Sequence, residues 1–381
     1  MLLMGTVETA PAGGAAATQV LVGGLVSALI MGAVVALGLA HRAGRTDLLD
    51  RAAAPLKRVF ALPGWALVPV AIALPAFAAA GFGFVWDVSI HIDQGRDTGP
   101  FGTPAHYFML AGIYGFVAAG FIAIAMPRED PKESWVRVAH NWYAPVSAVI
   151  MLGAGFFSML GFPMDDVWHR LFGQDVTLWG PTHQMMICGG VLNFFALMML
   201  VREGRAAMRA RGPRRRSFET ARAALSRAGI RVSGVIGAAI CLTALTIAWQ
   251  QEFAYGVPQF RLLFQPLLIT LSGALVLVAA RASLRRGAAL ATAVVSCIIT
   301  GSLTLAVGPV VGSSTHHFPL YLAAALLVEA VAFTGLRGYA FGALAGAAVA
   351  VGGVPAEWGW SHIWMPIPWP SHLIPEAILH S

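Results

Sequence analysis

ALPGWALVPVAIALPAFAAAGFGFV, residues 61–85, carries no charge and runs straight into Trp86-Asp87-Val88-Ser89-Ile90-His91. About 20 apolar residues suffice for a helix to cross the hydrocarbon of a bilayer, so this stretch reads as a span that ends on an Asp and a His. It lacks the period-two alternation of a barrel strand. A helix is then the structure that satisfies its backbone in lipid.

Similar runs lie near 18–40, 105–126, 142–164, 183–201, 232–251, 263–281, 287–308, 319–336 and 339–355, which with the first makes ten. The last two are joined by a very short connection around Arg337. Charged residues make up 11% of the chain, against about 25% in soluble domains, and mean hydropathy is +0.71. The expected fold is all-α, a polytopic transmembrane helical bundle of about ten spans.

Basic residues fix its expected orientation by the positive-inside rule. No positive charge precedes the first span, which is also too long for a signal-peptide core. Arg42, Arg45, Arg51, Lys57 and Arg58 follow it. Alternate loops then carry Arg128, Lys132 and Arg137, ten Arg between 202 and 231, Arg281, Arg285 and Arg286, and Arg337. That puts 22 of 25 Lys and Arg on one side and Arg96, Arg170 and Arg261 on the other. The expectation is N-out and C-out, in three parts. Residues 1–201 form a five-span half, 202–231 a basic cytoplasmic loop that serves as a topology anchor, and 232–381 a second five-span half with a His-rich outer tail. This sorting explains the net charge of +7 without nucleic acid as a partner; the expected partners are the bilayer and other membrane subunits. The strong preference for Arg over Lys, with high Ala and Gly, points to a GC-rich bacterial genome and so to a multi-pass protein of the inner membrane.

On this topology nine of the eleven His fall at the outer ends of the spans, and only His41 and His140 at the inner edge. Two outer hairpins repeat one pattern. The first has Asp87, His91, Arg96-Asp97-Thr98 and Thr103-Pro104-Ala105-His106. The second has Asp165, His169, Gln174-Asp175-Val176 and Gly180-Pro181-Thr182-His183. Asp and His four apart share a helix face. A Pro that opens the returning helix sets the closing His in its first turn. Each hairpin thus gathers one carboxylate and two imidazoles, a set that suits copper, iron or zinc and leaves positions open. Asp93, Asp97 and Asp175 are available to orient the imidazoles; equally, Asp87 and Asp165 are available as orienters of ligands that are His alone. His316-His317-Phe318-Pro319 echoes the Pro-and-His entry at the ninth span, so His316 and His317 join the candidate ligands. Glu329, read as a carboxylate within that span, is a candidate relay. Cys188, Cys241 and Cys297 sit in separate spans and read as small buried residues.

The run Asp87-x3-His91, Arg96-Asp97-Thr98, Thr103-Pro104-x-His106 resembles the metal-binding segment in the C subunit of particulate methane and ammonia monooxygenases, over about twenty residues in each copy. The resemblance implies that Asp87, His91 and His106 are copper ligands, with Asp165, His169 and His183 a second set. It also implies oxygen-dependent hydroxylation of a small substrate in a multi-subunit assembly.

The reading is an integral membrane metalloprotein with copper-type Asp/His sites on its outer face, a copper-dependent monooxygenase-like subunit. The alternatives are a protein that acquires or transports copper or another divalent metal, and a haem-binding membrane protein. No nucleotide-binding loop, Ser nucleophile motif or CxxCH haem attachment site is present, which disfavours primary active transport and covalent haem.

Overall fold

Uninterrupted apolar sequence becomes uninterrupted helix. The computed structural model describes residues 14–60, 62–95, 99–129, 132–173, 178–210, 219–257 and 261–381, and of residues 210, 219–233 and 250–252 only the backbone. Among the described residues, eight helices are long and apolar enough to cross a membrane, and two shorter apolar helices, Gly234–Trp249 and Leu322–Thr334, lie on the remaining two of the ten expected runs. The fold is an all-α polytopic bundle.

The chain divides into two compact units, Met1–Ser226 and Arg227–Ser381. In the first, α1 (Ala17–Arg42) is followed by a short amphipathic α2 (Leu48–Val59), then α3 (Gly64–Gln94) and α4 (Pro104–Ala125). A two-stranded antiparallel hairpin, β1 (Trp135–Ala139) and β2 (Trp142–Pro145), leads into α5 (Val146–Phe172) and α6 (Pro181–Ala210). The span expected from 142 therefore begins at Val146, because Trp142–Pro145 pairs with β1. Packing of α3 on α4, α4 on α5 and α5 on α6 builds a core from Trp65, Ala119, Ile122, Ala148, Met151 and Leu200. Residues such as Leu21, Leu25 and Leu29 on α1 stay exposed, as lipid-facing side chains do.

Glycine sets how close these helices come. A Cβ on Gly83 of α3 would lie 2.7 Å from the Ala105 carbonyl oxygen and 2.8 Å from the Met109 nitrogen on α4. A Cβ on Gly161 of α5 would lie 2.7 Å from Met186 Cγ and 3.1 Å from the Thr182 carbonyl oxygen on α6. Without a hydrophobic force between helices in lipid, close backbone approach of this kind supplies the packing energy.

The basic end of this unit is tied by polar contacts. Arg42 donates to the Pro127 carbonyl at 2.7 Å and lies 4.6 Å over the Trp142 ring. Trp65 Nε1 donates to Glu129 Oε1 at 2.7 Å and meets Trp135 edge-on.

α7 (Glu219–Ala254) enters the second unit, followed by α8 (Phe264–Leu284) and α9 (Ala288–Leu305), which closes in a π turn over Ala306–Val310. Then come α10 (Leu322–Val331), α11 (Gly338–Ala348), a second π turn (Val349–Gly353), α12 (Val354–Trp364) and α13 (Ile374–His380). Its core includes Leu242, Leu277, Ala324, Val328, Phe341 and Trp369. Hydroxyls stitch the helices together, with Thr243 to Ser296 at 2.8 Å and Thr246 to Tyr321 at 2.7 Å.

Two expectations change here. The ninth span, expected from 319, begins as helix at Leu322, and His316 and His317 lie in the non-helical segment before it. Glu329, read as mid-span, lies near the end of α10.

Candidate metal centre

Both Asp/His hairpins are built alike. α3 runs on through Trp86–Gln94 and α5 through Asp165–Phe172, and each is stopped by a glycine with positive φ, Gly95 (78°) and Gly173 (84°). The Gly95 and Gly173 amides donate to the carbonyls of His91 and His169, each at 3.0 Å. Such glycine C-caps end a helix where its hydrogen bonding runs out. Pro104 and Pro181 open α4 and α6, so His106 and His183 fall in the first turns.

Gly83 and Gly161 each sit four residues before the Asp, one helical turn away. Each faces the residue between the Pro and the closing His, Ala105 or Thr182. The unit is thus Gly-x3-Asp-x3-His followed by Pro-x-His. The glycine lets the outgoing helix touch the returning one just below the site, and this closes the distance between Asp and the second His.

In the first copy, His106 Nε2 is 2.9 Å from Asp87 Oδ1 and His91 Nε2 is 3.7 Å from Asp87 Oδ2. His91 Nδ1 bonds the Gly95 carbonyl at 3.0 Å, and His106 Nδ1 bonds the Pro100 carbonyl at 2.7 Å. A carbonyl only accepts, so both Nδ1 atoms carry the proton. Each Nε2 then presents a lone pair to a carboxylate oxygen. Two acceptors do not face each other at 2.9 Å unless a cation, proton or metal ion, stands with them. A backbone carbonyl on one ring nitrogen is how proteins fix the metal-ligating tautomer of the other.

In the second copy both imidazoles approach one oxygen. Asp165 Oδ1 is 3.4 Å from His169 Nε2 and 3.3 Å from His183 Nε2, and the two rings meet edge-on at 5.8 Å. Thr182 Oγ1 donates to the same oxygen. The first copy has Ala105 there and no such hydroxyl. Next door, Asp166 accepts from the Ala15 amide and from Arg170 Nε at 2.8 Å. This anchors the end of α5 to the start of α1.

In each group one ligand atom per residue lies within 4.8 Å of the others, and five of the six residues are part-buried, His169 being buried. Asp87 Oδ1 and His169 Nε2 are enclosed and make no hydrogen bond of proper geometry among the described residues. One enclosed, under-satisfied ligand atom in each group fits a cation there. The two groups also touch through a neighbour, since the Phe162 ring of α5 meets His106 edge-on at 5.9 Å and lies one turn from Asp165.

Thr182→Val is expected to weaken metal binding at the second group about 10–100-fold, the usual cost of an orienting partner. Competitive chelator titration checks it, with the first group unchanged as the internal control.

The other candidates lie in the second unit. His316 is 2% exposed, and burial first, then the charge of His317, pushes its pKa down to about 3. It meets the Tyr255 ring edge-on at 5.5 Å. His317 Nδ1 donates to the Ala254 carbonyl at 3.1 Å. No carboxylate joins them in a metal-type group among the described residues. Glu329 pairs with Arg281 Nε at 2.9 Å and accepts from the Gly287 and Ala289 amides, both at 2.9 Å. Asp93 is exposed, while Asp97 and Asp175 fall outside the described residues. Glu357, not singled out by sequence, is buried in α12 and accepts from the Leu320 and Tyr321 amides at 3.2 and 2.6 Å. It pins the non-helical segment that carries His316 and His317.

Comparison with known protein families, curated proteins and solved structures finds no match to this chain.

Proposed function

We propose that this chain is a membrane metalloprotein that binds copper at two Asp/His2 hairpin sites, and that it works as a copper-dependent monooxygenase-like subunit of the bacterial inner membrane. The observation that carries the metal reading is the pair of Nδ1-locked imidazoles in the first hairpin, whose Nε2 atoms meet a carboxylate at 2.9 and 3.7 Å. Copper is favoured by the local resemblance and by the order of divalent affinities for nitrogen and oxygen donors, in which Cu(II) ranks highest. The same two-His, one-carboxylate set also serves Fe(II).

The residues have separable roles in this reading. Asp87 and Asp165 supply negative charge that offsets part of the cation's. His91, His106, His169 and His183 supply neutral nitrogen donors. The Gly95 and Pro100 carbonyls hold two of those rings in the ligating tautomer, and the Thr182 hydroxyl holds the Asp165 carboxylate. Three protein donors leave room for an exogenous ligand. Copper held there would supply one-electron redox chemistry with oxygen.

The test is electron paramagnetic resonance of the purified full chain loaded with Cu(II), alongside metal analysis without loading. An axial signal with hyperfine coupling to two nitrogens, lost in His91→Ala/His106→Ala for one component, supports the reading. Retention of iron or zinc, with a Cu(II) signal free of nitrogen coupling, overturns the choice of copper.

A further inference from the structure

Glu329 leads to a different site, at the turn between α8 and α9. Its carboxylate takes the Gly287 and Ala289 amides, and so occupies the N-terminus of α9, where backbone donors and the helix dipole favour an anion. The same carboxylate fixes Arg281 by its Nε at 2.9 Å. Arg281, Ala282, Arg285 and Arg286 line an open cleft there. With Glu329 set against Arg281, the two exposed guanidiniums of Arg285 and Arg286 leave the cleft net positive.

The backbone of this turn is unusual at the residue that matters. Arg285 has φ 86° and ψ −171°, a region essentially reserved for glycine, while Gly287 two residues on takes φ 79° where glycine is at ease. A side chain stands at the position that sterics would give to glycine. Strain of this kind marks sites where the side chain has work to do.

Beside the cleft is an apolar surface. The Arg286 guanidinium lies 5.9 Å over the Phe333 ring, and Phe333 is 77% exposed, with Leu336 41% and Tyr339 99%. Cationic groups above exposed rings, at the end of two membrane-crossing helices, have the two-part character of a lipid: phosphate above, acyl chain below. A free phosphate has no use for the lower half. Basic pockets between transmembrane helices at the positively charged face are suited to anionic headgroups.

We propose that the α8–α9 cleft is a binding site for the phosphate of an anionic phospholipid, with Arg281, Arg285 and Arg286 contacting the phosphate and Phe333 contacting its acyl chain. The site is independent of the metal reading.

The experiment is native mass spectrometry of the delipidated full chain titrated with phosphatidylglycerol, with phosphatidylcholine and inorganic phosphate as the other arms. Wild type is expected to take up phosphatidylglycerol in preference to phosphatidylcholine. Arg285→Gln/Arg286→Gln is expected to lower phosphatidylglycerol affinity roughly thirtyfold, and Phe333→Ala to lower it without affecting inorganic phosphate. Both replaced arginines are exposed, so unchanged thermal unfolding checks the fold. Equal uptake of both lipids, an unaltered affinity in the double variant, or displacement of the lipid by inorganic phosphate at comparable concentration would overturn the proposal.

Discussion

His106→Ala is expected to abolish metal binding at the first hairpin and leave the second intact, and His183→Ala to do the reverse. Each site has one carboxylate and two imidazoles, so either change removes a third of the donors. The loss should exceed the 10–100-fold cost of an outer-shell partner. The change also removes the imidazole 2.9 Å from Asp87, a loss of about 3 kcal/mol if a shared proton makes the two a buried ion pair. The two effects separate by experiment. Added metal should raise the thermal midpoint of wild type, as any ligand of the native state does. The metal-dependent rise should shrink in each single variant and vanish in the double variant. A midpoint that falls in the variants while the metal-dependent rise persists would mean that the Asp–His contacts are structural ion pairs.

Gly83→Ala is expected to be the second large effect, and to reach the metal site without touching a ligand. The added Cβ would meet backbone atoms of α4, the Ala105 oxygen at 2.7 Å and the Met109 nitrogen at 2.8 Å. Backbone cannot swing aside as a side chain can, so α3 and α4 must part by a few tenths of an ångström or more. Overpacking of this kind costs about 1–3 kcal/mol, and here it pulls Asp87 away from His106. Metal affinity at the first site should fall, with the second site as control. Gly161→Ala should be milder, because its nearest contact is Met186 Cγ, the flexible part of a side chain that can repack. Thermal unfolding and chelator titration of both variants check the order. Equal effects, or an undisturbed first site in Gly83→Ala, would contradict the role given to the glycine.

Much of the fold was legible in the sequence because lipid imposes a simple rule. Each span must be a continuous apolar helix, and runs such as 61–85 and 263–281 declare themselves by length. The Asp and closing His of each hairpin were legible for a related reason. A helix converts a spacing of four into one face, and proline marks where the next helix starts. Less was legible where tertiary contacts decide. Nothing local required Trp142–Pro145 to pair as a strand with Trp135–Ala139, since its apolar content reads equally well as helix. Glu329 looked intramembrane because the ninth run was read as continuing to 336, whereas α10 ends at Val331. The early end leaves the carboxylate close to the basic end of the helix, against Arg281. Gly83 and Gly161 were visible as letters, four before each Asp, but their value lies in the backbone of the facing helix. Thr182 is similar, since its hydroxyl counts only because α6 starts beside Asp165.

The most direct measurement is metal stoichiometry on the purified full chain, loaded with Cu(II) and freed of excess. Two equivalents per chain are expected in wild type, one in Asp87→Ala, one in Asp165→Ala, and none when both are replaced. A wild-type value of zero, or a value that none of these substitutions changes, would contradict the claim that the repeated hairpins are metal sites.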